Sequence, residues 1–299
     1  MIPPQPRRRR RQPPTLRQLA VRRLIAVLAV LVLVGFLAWG AFALRDSGSG
    51  GSSTNALLPP PRKPLKIVFP EGFTRRDMGR RITAVDKIAL RERGVRPRLT
   101  RAAYLHATSG RHLIADFGSK RLPLEGFLFP ATYDFTAQTA SQQLVKAQLA
   151  AFARNWAELD LGYARSKNLT PYDVLIIASM IERETLAPDE RRLVSAVIYN
   201  RLHARMPLGI DATIRYALNI PGTQSLRRSE LQNPTPYNTR LHPGLPPTPI
   251  GNPGLASMQA AAHPARVKYL YFVRKPDKVH HFFTASFRAF QNYANAHGY

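Results

Sequence analysis

The chain of 299 residues carries 44 Lys+Arg against 18 Asp+Glu, a formal net charge of +26, and no cysteine. The absent thiols exclude a disulfide framework and any cysteine-ligated metal, and the charge excess favours polyanionic partners. Stability must come from a packed core, for which the length is ample.

Arginines crowd residues 1–23 (Arg7 to Arg11, Arg17, Arg22 and Arg23), and residues 24–44 then read LIAVLAVLVLVGFLAWGAFAL without a charge. A helix of that length crosses a bilayer core of roughly 30 Å. Arginines on one side, against only Arg45 and Asp46 on the other, predict a single-pass cell-membrane protein whose N-terminus is cytoplasmic and whose remainder is extracytoplasmic. A cleaved signal peptide is the alternative, and Ala38, Ala41 and Ala43 would permit cleavage. The apolar stretch, however, exceeds the usual h-region of about 7–15 residues. The arginine cluster then sets topology, aided by anionic headgroups, rather than binding nucleic acid. Nine arginines and no acidic residue fall in residues 1–45, so about +17 remains on the exported part. Lipid headgroups or acidic wall polymers meet that charge, and nucleic acid is not expected in that compartment.

Residues 45–64 form a linker, Gly/Ser-rich from Ser47 to Ser53 and proline-rich from Pro59 to Pro64, flexible first and stiffer after. The strand LKIVF (Leu65 to Phe69) follows, then a Pro-Glu-Gly turn and the capping-box pattern TRRD (Thr74 to Asp77). That box opens a helix with Met78, Ile82 and Val85 at apolar spacing. Thr100 caps a second helix, RAAYLHA, completing a small unit. In LPLEGFLFPATYDF (Leu122 to Phe135), Gly126 and Pro130 break any regular element, and Phe127, Phe129, Tyr133 and Phe135 read as core plugs beneath a loop.

A long amphipathic helix is predicted over Ser141 to Leu159. Another opens at Thr170-Pro171 with Asp173 completing a capping box and stops at Pro188, and a third runs from Pro188 to Ala204 with Leu193, Val197, Ile198 and Leu202. Proline- and glycine-rich loops fill Pro234 to Gly254. Strands at Tyr269 to Arg274 and His280 to Thr284 and a helix after Ser286 end the chain. Helices and short strands in irregular order, without an internal repeat, give an α+β fold rather than a repeating βαβ sheet.

Chemistry concentrates at IIASMIERET (Ile176 to Thr185), where Glu182 and Glu184 close an apolar helical run. A carboxyl in apolar surroundings has its charged form disfavoured and holds its proton closer to neutral pH, as a general acid must. The structural alternative is an ion pair with Arg183, Arg191 or Arg192. Spacing leaves both glutamates open. At about 100° per residue they flank the Val174, Ile177, Ile181 stripe at about 80° on either side.

No GxGxxG, GxxxxGK[ST] or HExxH occurs, and Ser179 lacks the flanking glycines of a nucleophile elbow, so nucleotide binding, zincin chemistry and hydrolase-elbow catalysis lose support. His280 and His281, adjacent on a predicted strand, point to opposite faces and do not easily share a metal. His263, before Pro264, reads as a helix-terminating side chain.

Taken in order, seven motifs resemble the endolytic murein transglycosylases of the MltG, or YceG-like, family. They are LEGFLFPATY (Leu124 to Tyr133), ASMIERET (Ala178 to Thr185), VIYNRL (Val197 to Leu202), LGIDATIRYAL (Leu208 to Leu218), PYNTRLHPGLPPTPIGNPG (Pro236 to Gly254), AAAHPA (Ala260 to Ala265) and YLYFV (Tyr269 to Val273). The resemblance spans nearly everything from Leu65 to Tyr299. It implies a LysM-like subdomain at 65–119 and a YceG-like catalytic domain at 120–299 behind a single membrane span. The implied reaction cleaves the β-1,4 bond between MurNAc and GlcNAc inside nascent glycan strands, leaves 1,6-anhydroMurNAc ends and terminates elongation. Peptidoglycan strands are then the substrate and peptidoglycan synthases candidate partners. An ordinary glycosidase needs a second carboxylate. In the implied reaction the substrate's own C6 hydroxyl attacks, so one residue serves as acid and then as base, with no metal or cofactor.

The family's catalytic glutamate falls on the first glutamate of the ERE pattern, Glu182, with Glu184 the alternative acid or a neighbour. Asp211, Thr213, Tyr237, Asn238, Ser257 and His280 occupy motif positions that can line a sugar cleft, the alternative for each being local backbone bonding. One departure is Gly209-Ile210, where other members often carry Gln and a small polar residue, so any contact made by that Gln is absent. Two other readings compete. One is a membrane-anchored, noncatalytic peptidoglycan-binding scaffold; the other is a glycoside hydrolase with Glu182 as acid and Asp211 or Glu184 as partner.

Overall fold

The structure, a computed structural model, describes residues 64–298, which fall within one compact unit. The basic tail (1–23), the expected membrane span (24–44) and the expected linker as far as residue 63 lie outside the described residues. Among the described residues no helix is long and apolar enough to cross a membrane.

Strand β1 (Leu65–Val68) leads into helix α1 (Arg75–Arg93), whose start is fixed by the predicted box: Thr74 Oγ1 accepts from Asp77 N–H, and Asp77 Oδ2 accepts from Thr74 N–H at 2.9 Å. Thr100 likewise caps α2 (Arg101–Ala107). The loop after α2 ends in a strand that the sequence pattern does not show, β2 (Thr132–Phe135), antiparallel to β1 with Leu65 opposite Phe135 and Val68 opposite Thr132. Pro130 hides it, because the breaker stands directly upstream and the partner strand is remote in sequence. The expected division at 119/120 therefore separates β1 from the strand it pairs with. Ile67 and Phe135 from the two strands join Met78, Ile82, Leu99 and Tyr104 in one apolar cluster.

The larger core follows. Helix α3 (Ser141–Trp156) ends earlier than expected, and the short α4 (Gly162–Ser166) comes before α5 (Pro171–Glu184). A 3-10 turn (Pro188–Glu190) then precedes α6 (Arg191–His203), where the sequence predicts one continuous helix. Helices α7 (Asp211–Leu218), α8 (Arg228–Leu231) and α9 (Leu255–Ala262), the antiparallel hairpin of β3 (Tyr271–Arg274) and β4 (His281–Thr284), and α10 (Phe287–Ala296) complete an α+β fold. Of the expected core plugs, Phe127 and Phe135 are buried, Phe127 within a ring cluster with Phe117 and Phe152. Phe129 and Tyr133 are half-buried, with the Tyr133 hydroxyl donating to Phe129 O at 2.7 Å.

Helix α5 runs through the centre. Val174 to Ile181 are all buried, against the small residues Ala260, Ala261 and Ala262 of α9 and against α6. Each large side chain there contributes roughly 1.5–3 kcal/mol of burial. The helix stops at Glu184 rather than at Pro188: Thr185 is already extended (φ −107, ψ 120), and Ala187, held extended by the proline after it, is buried. The polar end of a buried helix thereby comes to the surface at Glu182.

Candidate active site

Glu182 and Glu184 leave this end in different directions, and each meets the start of another helix. Glu182 Oε2 accepts from the N–H of Gly254, the N-cap of α9, at 3.0 Å. Glu184 Oε1 accepts from Ala212 N–H, in the first turn of α7, at 3.3 Å. Amides at such positions lack intrahelical partners and the helix dipole favours negative charge there, so both contacts suit a carboxylate. The alternative ion pairs do not form. Arg183 Nη1 donates to Gly72 O (3.3 Å), Arg192 Nε donates to His263 O (2.9 Å), and Arg191 Nε is buried without a hydrogen-bond partner. Burial pushes the Glu184 carboxyl above its ordinary value, the Ala212 N–H pulls against that, and the Asp211 charge adds to it.

Above Glu182 lies the Pro-Glu-Gly turn, stapled to the 250–254 loop. Gly72 N–H donates to Asn252 O at 2.8 Å, and Asn252 N–H donates back to Phe73 O at 3.0 Å. The backbones approach so closely that a Cβ on Gly251 would lie 2.7 Å from Gly72 O. Asn252 is fully buried and satisfied: Oδ1 accepts from Gly126 N–H and Leu128 N–H, and Nδ2 donates to Phe73 O and Glu125 Oε1, all at 2.8–2.9 Å. Ser179 has a similar structural role, its Oγ donating to Ile176 O and accepting from Ile250 N–H.

Two further carboxyls belong to this neighbourhood, and the sequence reading assigns neither a role. Glu125 is buried, accepting from Arg75 N–H (2.9 Å) and the Tyr216 hydroxyl (3.1 Å), and burial pushes its carboxyl up to about 7 against these donors. Glu71 stays exposed as a residue, but its carboxyl lies against Gly254, where a Cβ would overlap it. The only signals in sequence were an acid between apolar residues in LEGF and an acid beside a turn glycine.

A cavity of about 470 Å³ carries Arg76, Arg80, Arg183 and Arg215 on its walls. A second, of about 200 Å³, reaches Glu125, Tyr237 and Thr248, and Arg76 and Tyr216 line both. The two adjoin through Arg76 and Tyr216, and Arg183 brings the first beside the end of α5, while Glu71, Glu182 and Gly254 stand on the walls of neither. Among the described residues no three His, Asp or Glu side chains gather closely enough to hold a metal ion.

The remaining predicted residues divide. Tyr237 lines the second cavity, its ring 5.2 Å from Tyr216 and its hydroxyl 2.8 Å from Thr248 Oγ1. Asp211 sits near Glu184 and pairs with Arg240 at 2.7 Å. Thr213 and Asn238 are fully buried and hold loops: Thr213 Oγ1 donates to Ile210 O, and Asn238 Nδ2 donates to Leu231 O and Asn233 O. Ser257 is fully buried in α9 with its Oγ unpartnered. His280 is exposed and bound to Asp277, which raises its basicity, whereas His281 is buried with Nδ1 2.7 Å from Glu190 Oε2. The adjacent histidines thus do take opposite sides.

The model of the YceG-like family matches residues 16–296. The chain belongs to the YceG-like family. Among relatives, it is 37% identical over 154 residues to the endolytic murein transglycosylase of Bacillus subtilis (strain 168), covering 51% of this chain and 42% of that protein. It is 36% identical over 166 residues to the protein of that name from Streptococcus pneumoniae (strain ATCC BAA-255 / R6), covering 54% and 29%. The chain thus spans less than half the length of these curated relatives. A crystal structure of a putative YceG-like protein from Listeria monocytogenes superposes with a TM-score of 0.63 at 29% identity, over 77% of this chain and 76% of that one. In this YceG-like chain the match takes in the end of α5, the loop that binds it and the turn above.

Proposed function

We propose that this YceG-like protein is an endolytic peptidoglycan lytic transglycosylase with Glu182 as acid and then base. The observation that carries the reading is the placement of Glu182. Its half-buried carboxyl ends a buried helix, is held by one backbone N–H at 3.0 Å and has no ion pair among the described residues. The relatives named endolytic murein transglycosylase supply the substrate class.

In the proposed step protonated Glu182 gives its proton to the oxygen linking MurNAc to GlcNAc, and the C1–O bond breaks with oxocarbenium character on the muramoyl ring. The C6 hydroxyl of the same sugar then attacks C1 and its proton passes to Glu182, which regenerates the acid and leaves a 1,6-anhydro end. No water enters the balance. Holding O6 in line is an intramolecular proximity effect, and it is the task of the adjoining cavities. Tyr216 and Tyr237 offer ring faces and hydroxyls to sugars, and the four arginines suit the carboxylates of stem peptides.

The LysM-like reading of the first unit draws support from the order β1, α1, α2, β2 and its antiparallel pairing, with β2 supplied from beyond residue 119. Anchoring through residues 24–44, an extracytoplasmic site, and contact with peptidoglycan synthases at the membrane rest on the sequence pattern.

The deciding experiment is mass spectrometry of muropeptides from purified glycan strands treated with the full-length protein, wild type against Glu182→Gln. Anhydro ends are expected from the wild type, with a loss of at least about 100-fold in the variant. Reducing ends instead would transfer the protein to the glycoside hydrolases, a reading that Glu71 favours by supplying a second carboxyl. Binding without cleavage by either form would make it a scaffold.

A further inference from the structure

We propose that the arginine-walled cavity beside the end of α5 is a subsite for a stem-peptide carboxylate, with Arg76 as its specificity-determining residue, so that strands with charged stem peptides are cut in preference to neutral ones. The inference rests on the reaction proposed above.

Separate segments bring the cations together. Arg76 and Arg80 come from the start of α1, Arg183 from the end of α5 and Arg215 from α7, around a volume of about 470 Å³, the size of pockets that enclose a small organic ligand. Asp77, the acid on the same wall, is bound to Thr74 and to Arg80 and offsets a single charge. A cleft lined by one sign of charge concentrates ligands of the other.

The guanidiniums are not equally committed. Arg183 Nη1 donates to Gly72 O at 3.3 Å, Arg215 Nη1 donates to Pro221 O at 2.9 Å, and Arg80 is paired with Asp77. Arg76 is exposed, has no hydrogen bond or ion pair among the described residues, and stands on the wall of the second cavity as well. Its planar fork of donors is therefore kept for a ligand, and a carboxylate accepts from that fork through both oxygens.

Position makes the ligand a substituent of the sugar that is cut. Gly72 lies between the acid and the cavity: a Cβ on it would stand 3.4 Å from Glu182 Cγ and 3.5 Å from Arg183 Cδ. A muramoyl ring whose C1 faces Glu182 carries its peptide on the lactyl group at C3, so the carboxylates of that peptide are the substrate anions nearest to this cavity. Tyr216, on the walls of both cavities, offers a ring face at their junction.

The test compares kcat/KM of the full-length protein on two preparations of the same peptide-bearing strands. One is untreated, and in the other the stem-peptide carboxylates are converted to amides by carbodiimide and ammonium. Wild type is expected to favour untreated strands about tenfold, through KM. Arg76→Gln loses about that factor on untreated strands and nothing on amidated ones, and Arg76→Lys recovers only part, because an ammonium lacks the fork. Lys87→Gln, which removes an equal charge from an exposed position of α1 outside both cavities, retains the wild-type preference. Binding of the two preparations to Glu182→Gln gives the same ratio without turnover. Equal kcat/KM on both preparations overturns the proposal, and so does an Arg76→Gln loss of equal size on both. A matching loss in Lys87→Gln also overturns it, reducing the preference to net charge. Inhibition by inorganic phosphate without any preference between strands makes the cavity a phosphate site and overturns it too. Reducing ends from the wild type remove the parent reaction and leave the ratio between preparations unaffected.

Discussion

Glu182 and Glu184 are both half-buried, both accept from an amide at a helix start and both lie near a further acid. Their surroundings separate them. Glu184 faces α7, where Asp211 is tied to Arg240, and Glu182 faces Gly254 beneath the Pro-Glu-Gly turn. Glu184→Gln is therefore expected to keep cleavage within about threefold of wild type, since the amide oxygen still accepts from Ala212 N–H. A muropeptide assay checks this, and a profound loss there with Glu182→Gln still active would exchange their roles. Sequence reading found the pair because both stand at the end of an apolar run. It could not assign surroundings, which come from residues 70–72, 211–212 and 254, all remote along the chain. Thr213 and Asn238 show the converse, being residues of recognisable motifs whose side chains hold loops.

Elements that announce themselves do so through local chemistry. The boxes at Thr74 and Thr170 are read directly because donor and acceptor lie three residues apart. Thr170→Ala should cost about 1 kcal/mol in a urea titration and leave kcat unchanged, the cap lying at the opposite end of α5 from Glu182. Elements closed by distant partners are silent in sequence. Strand β2 exists through β1, and α7 opens without a side-chain cap, Ile210 N–H being held by Thr239 Oγ1 at 3.0 Å. Asn252 is the sharpest case, a loop residue in a proline-rich segment that binds the 125–128 loop and the residue 73 carbonyl. Asn252→Ala leaves several buried groups unpaired and should destabilise by roughly 3 kcal/mol or more, with loss of activity as the turn over Glu182 loosens.

At the scale of the whole molecule, Glu125 connects the small unit to the larger one and ties stability to pH. Its carboxyl lies at about 7 in the fold against an ordinary 4.5. The folded chain then holds that proton more tightly than the unfolded chain, so this contribution is complete below about pH 4.5 and is lost as pH rises through about 7. Thermal unfolding should show wild-type stability falling across that window, and Glu125→Gln reducing the slope by nearly one proton. An unchanged slope would show that the carboxyl is ionised throughout.

The sequence by itself determined the α+β class, most helices and the hairpin, because capping, apolar periodicity and turn chemistry are local. Its motifs also determined the family. Tertiary structure alone decided that the end of α5 lies under the Pro-Glu-Gly turn, that the Glu71 and Glu182 carboxyls both lie against Gly254, and that Arg183 joins Arg76, Arg80, Arg215 and Tyr216 around one cavity. Such contacts join segments from 72 residues apart, Glu182 and Gly254, to 179 apart, Phe73 and Asn252, and nothing in the spacing along a chain records which backbones approach closely enough to need a glycine between them.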